Sequence, residues 1–258
     1  MERLSVLTAD ELRATFVPVA IYWIYSAILE MLEGASAKYS LHSKAEENAM
    51  KMLVPKRSVV KGVLLHQTIQ ISLSLFVFAL LPRRDQRRQP PVHVIALQFF
   101  VGMVLMDSWQ YFVHRTLHMN NFLYKHIHSK HHKLIVPYAF GAQYLHPLEG
   151  LFSDGLAGAL AVVASGMTPR TATFFISFST VKAIDDHSEL WVPWNLLHLL
   201  FRNNSAYHRI HHQPYGMKFN FSNPFFVTWD KLLGTSLAYS LQDREGGGLE
   251  VRPLKKMD

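Results

Sequence analysis

The sequence predicts an all-α integral membrane protein in which four to five apolar helices carry a histidine-rich helical cap at one face of the bilayer. Three observations predict it: long segments almost free of charge, histidines repeated at helical spacing, and a composition poor in charge. Of the 258 residues, 49% are apolar and 17% charged, against roughly a quarter charged in ordinary water-soluble domains. Mean hydropathy is only +0.07, so very apolar stretches must alternate with polar ones.

The apolar segments come in order. Phe16 to Leu32 is rich in Ile, Tyr and Trp, and Val63 to Leu81 contains no charged residue. The second is long enough to cross a hydrocarbon core of about 30 Å. Val92 to Val113 has spanning length but contains Asp107. Leu151 to Gly166 and Thr171 to Ile184 flank the turn signal Met167-Thr168-Pro169, and read as a helical hairpin that dips into or crosses the bilayer. Met1 to Thr15 mixes acidic and basic residues and lacks the pattern of a cleaved leader, so the first apolar run reads as a retained anchor. The expected organisation is an anchor of membrane helices over 1–91, a catalytic portion over 92–235 and a tail over 236–258.

Charge supplies an orientation. If 33–62, 114–150 and 185–258 share one side, they carry eighteen Lys and Arg against seven on the other, and the positive-inside rule places them in the cytosol. Arg83, Arg84, Arg87 and Arg88 run against that trend. The net charge of +7 lies between apolar segments rather than in a stripe interleaved with aromatics. It suits anionic headgroups and not nucleic acid.

Cysteine is absent, which excludes disulfides and thiolate chemistry, so any metal must take nitrogen or oxygen ligands. The fifteen histidines supply nitrogen. His114 and His118 are spaced i, i+4. His128, His131 and His132 form an H-x-x-H-H group, and His208, His211 and His212 form a second. On a helix such spacings share one face, so each group can present two or three imidazoles to one point. Two such groups in one chain are not expected by chance. His146 precedes the hairpin and His187 follows it, which returns both to the same side. Ten imidazoles exceed a single coordination shell, so two metals are implied. His42, His66, His93, His126 and His198 are expected to be core, surface or supporting residues. Asp107 and Tyr111 continue the helical stripe of His114 and His118. Asp107 is therefore either an acceptor that orients a ligand histidine or a buried polar residue bonded to Tyr or Trp neighbours. Asp154 and Lys182 lie at similar distances from the hairpin turn, and a structural ion pair is expected between them.

Neutral imidazole suits iron, zinc and copper alike. A site beside the bilayer favours attack on an unactivated C–H bond of a lipid, which needs a redox metal and dioxygen and makes two irons the favoured choice. No phosphate-binding loop, G-x-S-x-G or H-E-x-x-H occurs, and no flavin, nicotinamide or haem motif, so electrons must come from a partner.

His114, His118, the two H-x-x-H-H groups, His146-Pro147-Leu148-Glu149 and Asp186-His187 together resemble the fatty acid hydroxylase / sterol desaturase superfamily. Tyr124 to His128, Val136-Pro137-Tyr138, Asn203 to His208, Asn220-Phe221-Ser222, Pro224-Phe225-Phe226 and Trp229-Asp230 are most similar to its plant sphingoid-base C4-hydroxylases. The resemblance implies a di-iron centre held by the ten histidines, with Asp186 beside them. It also implies endoplasmic-reticulum residence, electrons from NADPH through cytochrome b5 and its reductase, and a long-chain base or ceramide as substrate. Lys255-Lys256-Met257-Asp258 is similar to a dilysine retrieval signal. Two positions depart from the pattern: Arg209 stands where an acidic residue is common, and Glu189 where a glycine often follows the Asp-His pair. Other readings on the same scaffold are an aldehyde deformylating oxygenase that makes alkanes and a sterol oxidase. An inactive partner subunit or a metal-binding membrane protein is the non-enzymatic one, and a homodimer is left open.

Overall fold

The computed structural model describes residues 7–35, 37–80 and 88–254; Arg83, Arg84, Arg87 and the Lys255 to Asp258 tail lie outside them. The chain is mostly helical. Four helices among the described residues are long and apolar enough to cross a membrane. They are α1 (Ala9–Ala35), α3 (Lys56–Leu80), α4 (Val92–Met119) and the composite Pro147–Ala164. The short α2 (Lys44–Leu53) separates the first two. It opens with a capping box in which the Ser43 hydroxyl and the Glu46 carboxylate each accept from the other's backbone N–H, which satisfies donors a helix start leaves bare.

After α4 come α5 (Asn121–Leu123), a π-helical turn over Tyr124–His128 and α6 (Ser129–His132). The composite helix likewise runs from α7 (Pro147–Glu149) through a π-helical stretch, Gly150–Gly155, into α8 (Leu156–Ala164). The expected hairpin is then completed by α9 (Pro169–Asp186), started by Thr168 as cap and Pro169 at the first turn. Gly150 is required by packing: a Cβ there would lie 2.0 Å from Nδ1 of His66. The polar end is closed by α10 (Leu196–Leu200), α11 (Ser205–His212), α12 (Thr228–Leu232) and the antiparallel pair β1 (Tyr239–Asp243) and β2 (Leu249–Pro253).

Helix α1 packs along α9, and α4 along α8, with α3 against α1 and the Gly150–Gly155 stretch. One core cluster joins Tyr22, Val59, Val63, Leu134, Tyr138 and Ile184; another joins Met106, Ala157, Ala161, Phe175 and Phe225. Outward-facing Ile24, Met31, Phe76, Leu97 and Phe174 are all at least 60% exposed. Large apolar side chains in that number on the outside of long helices are what lipid, and not water, accommodates.

One expectation fails here. Lys182 pairs with Asp186, one turn along α9, and not with Asp154. The interval from the hairpin turn gives depth but not rotation, and on a helix the i, i+4 neighbour is always within reach.

Candidate metal centre

Nine of the ten expected histidines converge on one buried place. They form two groups: His114, His118, His128, His132 and His211, then His131, His187, His208 and His212. Within each, one nitrogen from every ring lies within 4.8 Å of the others. Each H-x-x-H-H group is divided between the two. The i, i+4 pair His128 and His132 serves the first group while His131 turns to the second. Conversely, His208 and His212 serve the second and His211 crosses to the first. Of the two or three imidazoles that each H-x-x-H-H could present to one point, two do so: i and i+4 lie nearly one above the other, while i+3 points to the flank.

The tenth, His146, stands apart. It caps α7, its Nδ1 accepting from the Leu148 N–H at 3.2 Å, and it belongs to neither group. Its place in the H-P-L-E stretch is that of a helix start, for which the side chain turns back on its own backbone. The residue that reaches the cluster from this stretch is Glu149, whose carboxylate accepts from His128 Nδ1 at 2.6 Å.

The outer nitrogens are held by fixed acceptors. Nδ1 of His114 donates to Phe221 O at 2.8 Å, that of His211 to Phe219 O at 2.7 Å, and that of His212 to Leu134 O at 2.9 Å. His187 Nδ1 donates to Ala183 O at 2.7 Å. A carbonyl can only accept, so in each ring the hydrogen sits on Nδ1 and Nε2 carries a bare lone pair. Those lone pairs face one another. Nε2 of His114 and His128 are 3.1 Å apart, and Nε2 of His208 lies 3.0 Å from both His187 and His212. Nε2 of His132 and of His211 is buried with no partner. Burial, and then the neighbouring imidazoles, push His128, His131, His132, His208, His211 and His212 well below the ordinary histidine range. Neutral rings with converging lone pairs are what a metal ion requires, and without a cation between them the arrangement is repulsive. The donor set fits two metal ions.

The other expected supporting residues lie nearby but do not touch the imidazoles by hydrogen bonds. Asp107 accepts from the backbone N–H of Phe225 and Phe226 at 3.0 and 2.6 Å. Neither expected partner is the one found: Asp107 is bonded to backbone amides rather than to a histidine or to a Tyr or Trp side chain, and the carboxylate pins the 220s loop to α4. The Tyr111 hydroxyl meets Thr235 and its ring stacks on Trp229. Asp186 is engaged with Lys182.

Asp230, singled out only within a resemblance, is the hub of that loop. It accepts from the N–H of Phe221 and Ser222, from Tyr207 Oη and from Thr235 Oγ1. It thereby fixes the Phe221 carbonyl on which His114 rests. No spacing rule could have found this, because the contacts cross between loops. The two departures, Arg209 and Glu189, meet: they form a buried ion pair, with Glu46 2.7 Å from the same guanidinium. Glu189 has φ +55°, the region glycine occupies without strain, and the pair holds a glutamate there.

The fatty acid hydroxylase family model matches residues 99–235. The chain is 53% identical to sphinganine C4-monooxygenase 2 of Arabidopsis thaliana, covering 98% of each chain. It is 49% identical to the very-long-chain aldehyde decarbonylase GL1-9 of Oryza sativa over 96% of each, and 39% identical to the sphingolipid C4-hydroxylase sur2 of Schizosaccharomyces pombe over 84% of this chain and 85% of that one. No solved structure matches the chain.

Proposed function

The chain belongs to the fatty acid hydroxylase family, and from that premise we propose that it is a membrane di-iron monooxygenase that hydroxylates carbon 4 of a long-chain base. The observation that carries the reading is the set of neutral imidazoles whose bare Nε2 atoms face one another in two groups. The nine clustered histidines are the proposed ligands, and residues 92–235 the proposed catalytic portion.

Bound iron would supply the activation of dioxygen, one oxygen atom entering the C–H bond as hydroxyl and the other leaving as water, with two electrons and two protons from outside the chain. The chain's own work is positioning. Carbonyl acceptors and Glu149 hold five of the rings, His114, His128, His187, His211 and His212, in one tautomer, so little reorganisation of these is needed on loading. Five of the histidines, His114, His128, His131, His187 and His208, line a chamber with Met106, Ile176 and Ile184, apolar side chains against which the reacting carbon can rest. Electrons would come from NADPH through cytochrome b5 and its reductase, at the cytosolic face of the endoplasmic reticulum.

Expression in cells that make no 4-hydroxylated base tests the assignment by mass spectrometry. New 4-hydroxy base together with about two irons per purified chain is expected. The similarity to an aldehyde decarbonylase favours a second reading, and new odd-chain alkane without hydroxylated base would establish that one instead.

A further inference from the structure

The histidine chamber shares part of its wall with a second cavity between α1, α3, α8 and α9. The second is faced by Pro18, Leu73, Val77, Phe78, Val162 and Ile176, a lining suited to an alkyl chain. Gln70, Gln143, Asp154 and Thr180 border both. The two cavities therefore meet at a collar of these four polar side chains.

Asp154 is the unusual member of that collar. Two carboxylates line the chamber, Glu149 and Asp154, and Glu149 is committed to His128. The cation the sequence offered to Asp154 is taken, since Lys182 pairs with Asp186. What remains beside Asp154 is the Gln110 amide, donating to Oδ1 at 3.2 Å, and His66 Nε2, 3.4 Å from Oδ2. No lysine or arginine pairs with it among the described residues. The Asp154 carboxylate, its side chain 26% exposed, faces the chamber with no lysine or arginine beside it, and a ligand cation there would find a charged partner. Gln110, 7% exposed and also lining the chamber, has its Oε1 buried with no partner, an acceptor free for a hydroxyl or ammonium hydrogen.

Resting on the long-chain-base reading above, we propose that Asp154 and Gln110 are the receptor for the ammonium and hydroxyl groups of a free long-chain base, so that the unacylated amine is preferred over its N-acylated form. The chemistry of the substrate agrees. In sphinganine the amine is borne two carbons from carbon 4, so when carbon 4 faces the metals the amine must lie in the same chamber. The carboxylate gives the amine a charged partner, and an amide nitrogen, which is neutral, gains far less from it.

Membranes containing the full chain, supplied separately with sphinganine and N-acetylsphinganine, test this. The wild type is expected to favour sphinganine. Asp154→Asn should lower kcat/KM for sphinganine about tenfold or more, mainly through KM, while conversion of the N-acetyl form stays within about twofold. Loss shared equally by both substrates, no loss for either, or a wild-type preference for the N-acetyl form would overturn the proposal. Inhibition of the wild type needs no variant: octadecylamine should compete with sphinganine at least about ten times better than octadecanol, and equal competition contradicts the receptor. A wild type that hydroxylates neither base overturns the reading of function itself, whereas one that hydroxylates sphinganine but is inhibited equally by amine and alcohol leaves that reading standing and overturns the receptor alone.

Discussion

The two histidine groups are alike in ligand type and unlike in support. The five-membered group stands on α4, a membrane-spanning helix that contributes His114 and His118, and is backed by a carboxylate, Glu149, through His128. The four-membered group has no such helix beneath it. His187 sits at the C-terminal end of α9, His208 and His212 lie on the short α11, and their acceptors are the carbonyls of Ala183 and Leu134. Behind it stand two buried ion pairs, Lys182 with Asp186 and Arg209 with Glu189. Both groups lean on backbone carbonyls, but the first adds a bilayer-length helix and a carboxylate bonded directly to a ring, whereas the second has buried charge pairs beside it. The lesson is that equal coordination does not mean equal robustness: the second group depends on partners that a single substitution can leave uncompensated.

Removing one ring from each group should have the largest effect and an equal one. His128→Ala and His208→Ala are each expected to reduce product formation by a thousandfold or more, with about one metal lost per chain. Metal analysis of the purified variants checks it, and a variant that turns over normally would remove that ring from the centre. Next is the asymmetry of support. Arg209→Leu leaves Glu189 buried without its partner and should cost about 3–5 kcal/mol, seen as a lowered thermal midpoint. Arg209→Leu combined with Glu189→Gly should recover most of that, since the charge leaves and glycine accepts the φ of +55°.

Glu149→Gln should act on the five-membered group alone, weakening metal retention about ten- to a hundredfold, as measured by chelator competition. Equal loss from both groups would show that they are not separable. A smaller, pH-dependent effect is expected at His42. Its burial tends to lower it, but the carboxylates of Glu189 and Glu33 outweigh burial and hold it up at about 9. A raised folded-state value means stability present in full below the ordinary histidine range and lost as pH rises through about 9. The thermal midpoint should therefore fall between pH 6.5 and 9.5, and His42→Gln should flatten that slope. Smallest is His146→Ala, which removes a helix cap worth about 1 kcal/mol and should leave metal content unchanged.

Much of this was legible in the chain as written. The spans at 63–81 and 92–113 follow from length without charge, and the hairpin from its Thr-Pro turn. The eight histidines of the spaced groups were readable because i, i+3 and i+4 repeats have no common cause other than a shared direction. His187 was expected by position alone, and it lies with His131, His208 and His212 in the four-membered group. The same positional reasoning failed for His146, because a histidine just before a proline-started helix has a competing use as its cap. It failed for the Asp154 and Lys182 pair because depth in a helix does not specify rotation about its axis.

Sequence by itself determined that this protein has helices of membrane length and that it carries enough imidazoles at helical spacing for two ions, since hydropathy and side-chain chemistry are local properties. Tertiary structure alone decided how each H-x-x-H-H divides between two groups, which carbonyl or carboxylate fixes the tautomer of five of the rings, and that no lysine or arginine among the described residues pairs with Asp154 in the chamber wall. Those are facts about which atoms from distant segments lie within about 3 Å of one another, and no pattern along a chain encodes them until the helices pack.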